Sequence, residues 1–509
     1  MDVDNNSRDM MQKIVSLSKR RGFVFQSSEI YGGLKSAYDY GPLGVELKRN
    51  VMNEWWRTMV HEREDVVGLD ASVIMHPAVW RASGHLAGFA DPLVDCRNCK
   101  ERFRADQAPS VAQGSPVSYR EGGKKSGALR EGIAERGYVC PVCGATDLSE
   151  ERQFNLMFRT SLGPVDPLGQ MVSCVDQNRH LTGVALHEAL ARIIDESAAY
   201  LRPETAQAMF VQFQNVQQTM SMKVPFGIAQ MGKSFRNEVT VEHFIFRSCE
   251  FEQMEMEFFV EPGSQEHWLD YWCERRMAWW QSYANDKSKF RLRRHDEEEL
   301  AHYADACYDI EYLYPWGFGE LEGIASRTDY DLRKHQDSSG TKMSYFAQDK
   351  KDPKTGKIGW RYLPYVIEPA AGATRGVLVY LLDAYAEEAV SDGKGGETTR
   401  VVLKLHPRLA PIKVAVLPLV KKDGLPELGR KLASAFFAAG LNARFDEQHA
   451  IGKRYRRHDE AGTPYCLTVD GQTREDYTVT IRDRNTMQQE RITVDRAVEV
   501  VKERLATVS

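Results

Sequence analysis

Two cysteine pairs, Cys96-x-x-Cys99 and Cys140-x-x-Cys143, limit what this chain can fold into more than any other feature. Zinc takes four soft ligands at tetrahedral corners, and thiolates at about 2.3 Å are the usual structural choice. The two-residue gap lets both sulfurs of one knuckle reach the same ion. Four thiols on one ion would draw together two points separated by forty residues. A redox pair, or thiols with no partner, fit the same spacing. The other five cysteines (Cys174, Cys249, Cys273, Cys307 and Cys466) are scattered, as free core thiols of a reducing compartment are. Between the pairs, Tyr119–Gly137 is rich in Gly, Lys, Arg and Glu and reads as a mobile insertion.

The 509 residues allow about three domains at ~150 residues each. With 42% apolar and 27% charged residues the composition is that of a soluble globular chain. No stretch approaches 18 consecutive apolar residues, so no membrane span is expected. The N-terminal MDVDNNSRDMMQK is polar and acidic, unlike a secretory or mitochondrial signal, which implies a cytoplasmic protein. The net charge of −5 does not mark a nucleic-acid binder. The charge is uneven, however: Val401–Ser509 holds 19 Lys and Arg against 14 Asp and Glu. Such asymmetry fits a basic module for a polyanion, and equally a chance surface imbalance.

Tyr40–Val60 places Leu47, Val51, Trp55 and Met59 four apart, an apolar helix stripe that starts after Gly41-Pro42. Leu181–Tyr200 shows a second helical period. Lys223–Val260 is strand-like, most clearly in Glu250–Glu257, EFEQMEME. Tyr308–Leu332 mixes strand and turn signals. Val366–Leu382 leads into a helix expected to run to about Val390. Ser391–Arg400, SDGKGGETTR, reads as a linker and the clearest domain boundary. Beyond it, strands Ile412–Leu419, Tyr465–Val469 and Tyr477–Ile481 alternate with helical patterns at Leu425–Ala439 and Asp495–Leu505, a small α/β module.

Three segments carry chemistry. In Ser234–Phe259, read as strand, loop and strand, Arg236 and Glu238 share one face. On the second strand Phe251, Gln253 and Glu255 share a face, with Glu250 and Glu252 opposite. Arginine forks onto phosphate, a ring stacks on a base and carboxylates hold an ammonium or a metal, so this face suits a nucleotide. A solvated amphipathic strand has the same pattern. In VIEPAAGATRG, Glu368 and Ala370 share a face, Gly372 permits close backbone approach, and Arg375 falls in a first helical turn that favours anions. A plain strand and helix with an incidental arginine is the alternative. Ile451–Arg457, IGKRYRR, sets four basic residues around Tyr455 and reads as an RNA contact or a solvated basic turn.

Together these segments resemble the class II aminoacyl-tRNA synthetases. Tyr40–Val60 looks like motif 1, the dimer-forming helix. Phe235-Arg236-Asn237-Glu238, a loop, Arg247 and Phe251 look like motif 2, and Gly372-x-x-Arg375 looks like motif 3. Arg202-Pro-Glu-Thr-Ala-Gln, Phe251-Glu-Gln-Met-Glu255 and Arg327-Thr-Asp-Tyr-Asp-Leu are similar to signatures of the dimeric glycyl-tRNA synthetases. The likeness runs the length of the chain. Its rivals are another class II synthetase and a relative that lost catalysis; the presence of Arg236, Arg247 and Arg375 argues against the latter.

The resemblance implies an α/β multidomain protein. An α+β catalytic core has an antiparallel sheet flanked by helices, and a C-terminal α/β anticodon-binding domain has a mixed sheet. Residues 1–90 would be the first part of the catalytic domain, 91–180 a zinc-knuckle-bearing insertion, 181–395 the core with motifs 2 and 3, and 400–509 the anticodon-binding domain. It further implies ATP-dependent ligation of glycine to tRNA(Gly) by a homodimer, with Mg²⁺ and structural Zn²⁺. Arg236 and Arg375 would be catalytic. ATP would meet Arg236, Asn237, Glu238, Phe246, Arg247, Phe251, Glu320, Leu321, Gly372 and Arg375, with Glu320 on Mg²⁺. Glycine would meet Arg104, Glu204, Phe251, Gln253, Glu255, Arg327, Glu368, Ala370 and Gly372. Lys453, Arg454, Arg456 and Arg457 would face the anticodon, and Cys96, Cys99, Cys140 and Cys143 would bind zinc. Two positions depart from the pattern: Ala370 stands where a serine is expected, and Cys249 where an arginine is expected.

Overall fold

A computed structural model describes residues 2–34, 36–120, 129–164, 166–239, 241, 243–301, 303–391 and 396–507. After an N-terminal helix (Asp2–Arg21), Pro42 opens helix α1 (Pro42–Trp56), where its fixed φ and missing N–H suit a first turn. A π turn at Arg57–His61 extends it. The stripe is fully used: Leu47, Val51 and Trp55 are 0% exposed and Met59 3%. Short strand β1 (Val66–Gly68) follows, then the long pair β2 (Phe226–Phe235) and β3 (Glu250–Val260). Helix α2 (Gln265–Ser282) leads to β4 (Phe290–Arg294), β5 (Ala306–Tyr314), β6 (Gly317–Thr328) and β7 (Tyr365–Gly372), and β7 runs straight into α3 (Ala373–Ala384).

The seven strands form one sheet in the order β4-β5-β6-β7-β3-β2-β1, antiparallel except for the β2–β1 pair. Alternation along β3 divides the molecule. Met254, Met256 and Phe258 enter the main apolar core with α1, α2 and α3. Phe251, Gln253, Glu255 and Glu257 turn to the other face. On the core side, Glu252 meets Lys48 of α1, and Glu250 meets Lys233 at the sheet's edge.

Three boundaries differ from the sequence reading. The strand expected to carry Arg236 and Glu238 ends at Phe235. The helix expected to reach Val390 ends at Ala384, and the chain then enters β8 (Tyr385–Ser391). The expected linker is the turn of a hairpin, because β9 (Glu397–Leu403) pairs antiparallel with β8, Ser391 opposite Glu397. Residues 392–395 lie outside the described residues. Gly, Ser and Thr suit a hairpin turn as well as a linker, so only strand pairing separates the two. The expected insertion at Tyr119–Gly137 likewise has paired strands, Pro116–Arg120 with Leu129–Ile133; residues 121–128 lie outside the described residues.

The C-terminal module holds β10 (Val414–Pro418), α4 (Leu425–Ala438), β11 (Ala443–Phe445), α5 (Ile451–Glu460), β12 (Tyr465–Val469), β13 (Thr478–Asp483), β14 (Gln489–Thr493) and α6 (Ala497–Thr507). Its sheet, β11-β10-β12-β13-β14, is mixed: β10 is parallel to both neighbours and the rest is antiparallel. It has its own apolar core around Val416, Leu432, Phe436 and Val479. Among the described residues no helix is long and apolar enough to cross a membrane.

Candidate active site

On the sheet face opposite the core, a cavity of about 280 Å³ opens above β3, β6 and β7. Its two ends differ in charge. One end is arginine-rich. Arg236 follows β2, where its N–H donates to the Cys249 carbonyl at 2.9 Å. Its guanidinium lies 5.3 Å from the ring centres of both Phe89 and Phe251 and donates to the Pro203 carbonyl. Arg375 is the third residue of α3 and sits 3.0 Å from Glu320, with its Nε donating to the Phe246 carbonyl at 3.2 Å. Arg375 holds the Glu320 carboxyl below its usual range, against burial. Arg247 lies 3.9 Å from Glu238, and its buried Nε has no hydrogen-bond partner. Gly372 takes an ordinary φ of −83°; its absent Cβ leaves room beside the Arg375 stem, 3.4 Å away.

The other end is acidic. Glu204, Gln253, Glu255, Arg327, Glu368 and Ala370 line it. Glu255 accepts from the Thr205 N–H at 3.0 Å and from the Thr205 hydroxyl. Glu204 accepts from Gln207 at 3.0 Å and faces His85 at 3.3 Å. Arg327 donates to Glu368 at 2.7 Å and to Asp331 at 2.8 Å, and its guanidinium stacks 3.9 Å over the Tyr303 ring. Burial, with Glu368 and Glu204 alongside, pushes the Glu255 carboxyl up to about 8. Burial also raises Glu368, against the pull of Arg327. Burial opposes ionisation of Glu204 too, but His85 and then Arg327 hold it below the usual range. A low-dielectric pocket of carboxylates with a single arginine is a strong attractor for one small cation.

Several expected residues lie elsewhere. Arg104 does not line the cavity; Asp91 at 3.0 Å and Asp106 at 2.7 Å take up its guanidinium. Leu321 points into the main core at 0% exposure, because its neighbour Glu320 faces the cavity side. Asn237 is absent from the lining; its N–H donates to the Leu156 carbonyl. Arg327 lines the cavity, but its guanidinium is committed to carboxylates rather than open to one more. In α5, Arg454 is 2% exposed and donates to the carbonyls of Pro418, Asp446 and Leu419, so it braces the module. Lys453, Arg456 and Arg457 line a surface cleft with Arg21 and His449. The sequence reading missed His295, Tyr303, Cys307 and Asp309, which also line the cavity. Cys307 and Asp309 share that face of β5, and His295 is brought beside them by the β4–β5 pairing, which no local pattern shows.

The four knuckle cysteines converge. Cys96 and Cys143 sulfurs are 3.6 Å apart, as are Cys99 and Cys140, and all four lie within 4.8 Å of one another. Tetrahedral sulfurs at 2.3 Å from one ion would stand about 3.8 Å apart. Burial opposes it, but Asn98 and the Ala145 N–H bring the Cys143 thiol down to about 7. The donor set is compatible with zinc.

The architecture matches a solved structure. The crystal structure of prolyl-tRNA synthetase from Cryptosporidium parvum, complexed with L-proline and AMP, covers 97% of this chain and 78% of its own, with a TM-score of 0.56 at 11% identity. The family model "Anticodon binding domain" matches residues 413–504. The fold is therefore that of a class II aminoacyl-tRNA synthetase. At the sequence level, the chain is 48% identical over 482 residues to glycine--tRNA ligase of Treponema denticola, covering 95% of this chain and 94% of that one. It is 47% identical over 506 residues to glycine--tRNA ligase of Thermobifida fusca, covering 98% of each. The Streptomyces coelicolor glycine--tRNA ligase is 49% identical over 492 residues, 96% of this chain and 97% of that one. This chain belongs to the glycine--tRNA ligase family.

Proposed function

We propose that the cavity joins glycine to ATP and passes the glycyl group to the 3′ end of tRNA(Gly). The observation that carries this reading is the division of one cavity into an arginine end and a glutamate end. Glycine brings a carboxylate and an ammonium; ATP brings a triphosphate. In the first step the glycine carboxylate oxygen bonds to the α-phosphorus and pyrophosphate leaves. The carboxylate is already ionised, so this step needs no protein base; positioning and charge neutralisation do the work. Arg236 grips the α-phosphate beside the reacting carboxylate, between rings that leave its fork in one plane. Phe251 offers a face for adenine, and Arg247 and Arg375 take the outer phosphates. In the second step a terminal ribose hydroxyl of the tRNA attacks the glycyl carbonyl and AMP leaves.

Glu204, Glu255 and Glu368 surround the ammonium, and the crowded wall excludes side chains larger than hydrogen by overlap. Arg327 holds Glu368 and Asp331 in place from behind. Mg²⁺, when bound, neutralises phosphate oxygens; Glu320, a hard oxygen donor at the arginine end, would hold it. Cys96, Cys99, Cys140 and Cys143 would hold structural Zn²⁺, which metal analysis of the wild type against Cys143→Ser tests. Lys453, Arg456 and Arg457 offer the C-terminal module a phosphate footprint for the anticodon arm. The division of the chain is a catalytic body interrupted by segment 91–180, and a C-terminal module that begins in the loop after β9. A cytoplasmic homodimer completes the reading, with sedimentation equilibrium as its check.

Glycine-dependent ATP–pyrophosphate exchange tests the whole. Exchange with glycine, and none with alanine or proline, is the expected result; absence of exchange with glycine would sink it. Arg375→Ala should lower the exchange rate about 10²–10³-fold if that arginine acts mainly in the transition state.

A further inference from the structure

Unlike Glu204, Glu255 and Glu368, Glu257 neither lines the cavity nor meets a donor. It is 0% exposed, and both carboxyl oxygens are buried without a hydrogen-bond partner. The β3–β7 ladder pairs Glu255 with Ala370 and Phe258 with Ile367, which sets Glu257 against Glu368. Carboxyl oxygens of Glu255, Glu257 and Glu368 all lie within 4.8 Å of one another.

Three like charges at that spacing, away from water, are strongly unfavourable. The groups facing Glu257 do not offset them. Arg327 spends its guanidinium on Glu368 and Asp331. His85 faces Glu204, and the buried Arg202 donates to the carbonyls of Lys233 and Ala71. Asp331 adds a further negative charge. The cluster therefore needs a proton or a cation. Donors decide which carboxyl holds its proton most firmly: Thr205 donates to Glu255 and Arg327 to Glu368, contacts that pull each toward its charged form, while Glu257 has none.

We propose that Glu257 is a standing carboxylic acid, a positioning residue whose O–H donates to the Glu368 carboxylate and keeps it turned toward the substrate ammonium. A neutral acid held in an apolar site can donate a hydrogen bond that its anion cannot. Burial, with Glu368 next, raises the Glu257 carboxyl well above its ordinary range, in the same direction. The inference rests on the reading of Glu255 and Glu368 as the ammonium site.

Infrared difference spectroscopy on the full-length wild type at neutral pH, without glycine, reads the proton directly. The expected spectrum shows carbonyl stretches of protonated carboxylic acids, one component of which Glu257→Gln removes while the Glu255 component, which titrates near 8, persists. Exchange kinetics read the role. Glu257→Ala should raise the glycine KM about tenfold with a smaller change in kcat, and Glu257→Gln, which keeps a donor without charge, should bring it back to within about threefold of wild type. No such band in the wild type, or a band that Glu257→Gln leaves undiminished, overturns the proposal. So does a Gln variant as impaired as the Ala variant, which would mean an ionised Glu257 countered by a cation. The spectrum needs no substrate, so it stands even where Ala fails to fold. Glu255→Gln separates the two readings: an unchanged glycine KM there would remove the ammonium site while leaving the proton on Glu257.

Discussion

Ala370 sits in the cavity wall between Glu368 and Gly372, on the strand face that meets glycine in the proposed reading. Its methyl donates nothing to a carboxylate and accepts nothing from an ammonium. Ala370→Ser adds one hydroxyl at this point, and one hydrogen bond is worth about 0.5–1.5 kcal/mol net. The glycine KM in the exchange assay should therefore fall by up to about tenfold, with kcat little changed. Glu255 gives a pH prediction. Its carboxyl is raised to about 8, so the folded state holds a proton that the unfolded chain has already lost. Its contribution to stability is present at low pH and is lost as pH rises from the ordinary carboxyl range through about 8. An incoming ammonium takes the proton's place. Thermal melts of the free protein should drop in that window, glycine should reverse the drop, and the glycine KM should fall as pH climbs toward 8. Glu204 shifts the other way, and its contribution is lost only in acid.

At the scale of elements, the sheet is tied to its helices by a buried ion pair as well as by apolar packing. Arg276 of α2 is 1% exposed and donates to Glu322 of β6 at 2.7 Å, and Trp280 Nε1 donates to the same carboxylate. Glu322→Ala would leave a guanidinium buried without its partner, which typically costs about 3–5 kcal/mol. A lower midpoint in chemical denaturation, with an unchanged denaturant slope, is the expected outcome; a loss under about 1 kcal/mol would contradict it. The same strand shows how register controls chemistry. Glu320 faces the cavity, Leu321 the core and Glu322 the core ion pair, with a register shift in the β5–β6 ladder at Ile310/Glu311. Such an irregularity re-aims side chains relative to simple alternation.

In the whole molecule, the C-terminal module is held to the catalytic body by a charged seam. Asp459 of α5 is 1% exposed and accepts from Arg400 of β9 at 2.8 Å and from Arg482 of β13 at 2.8 Å. Arg21 reaches Glu460 at 2.6 Å, and Asn50 of α1 donates to the Leu409 and Ala410 carbonyls at 3.1 Å. Asp459→Asn would leave the buried Arg482 without its counter-charge and Arg400 with Glu388 alone, a cost of about 3–5 kcal/mol concentrated at the seam. Limited proteolysis should then cut in the loop after β9. Aminoacylation of tRNA should fall while glycine-dependent exchange persists; equal loss of both would show that the seam also supports the sheet.

Local patterns carried much of this protein in its sequence. The spacing of Leu47, Val51, Trp55 and Met59 is a helical period, and all four are buried. The alternation of Phe251, Gln253 and Glu255 needs only a strand, and all three reach the cavity. Each Cys-x-x-Cys knuckle is a short-range geometry legible in the sequence, but the meeting of the two, Cys96 with Cys143 and Cys99 with Cys140, is a tertiary contact. Tertiary structure alone decided the rest. Arg104, Arg327 and Arg454 each carry a charge that local sequence leaves open to any anion. Asp91, Glu368 and the Pro418 carbonyl claim them from distant segments. Asp309 and His295 face the cavity only because β4, β5 and β6 pair as they do. Sequence sets what each side chain can do and which face of its own element it takes. Which partner reaches it first depends on strand pairing, and charge is satisfied by the nearest opposite group in space, however far away in the chain.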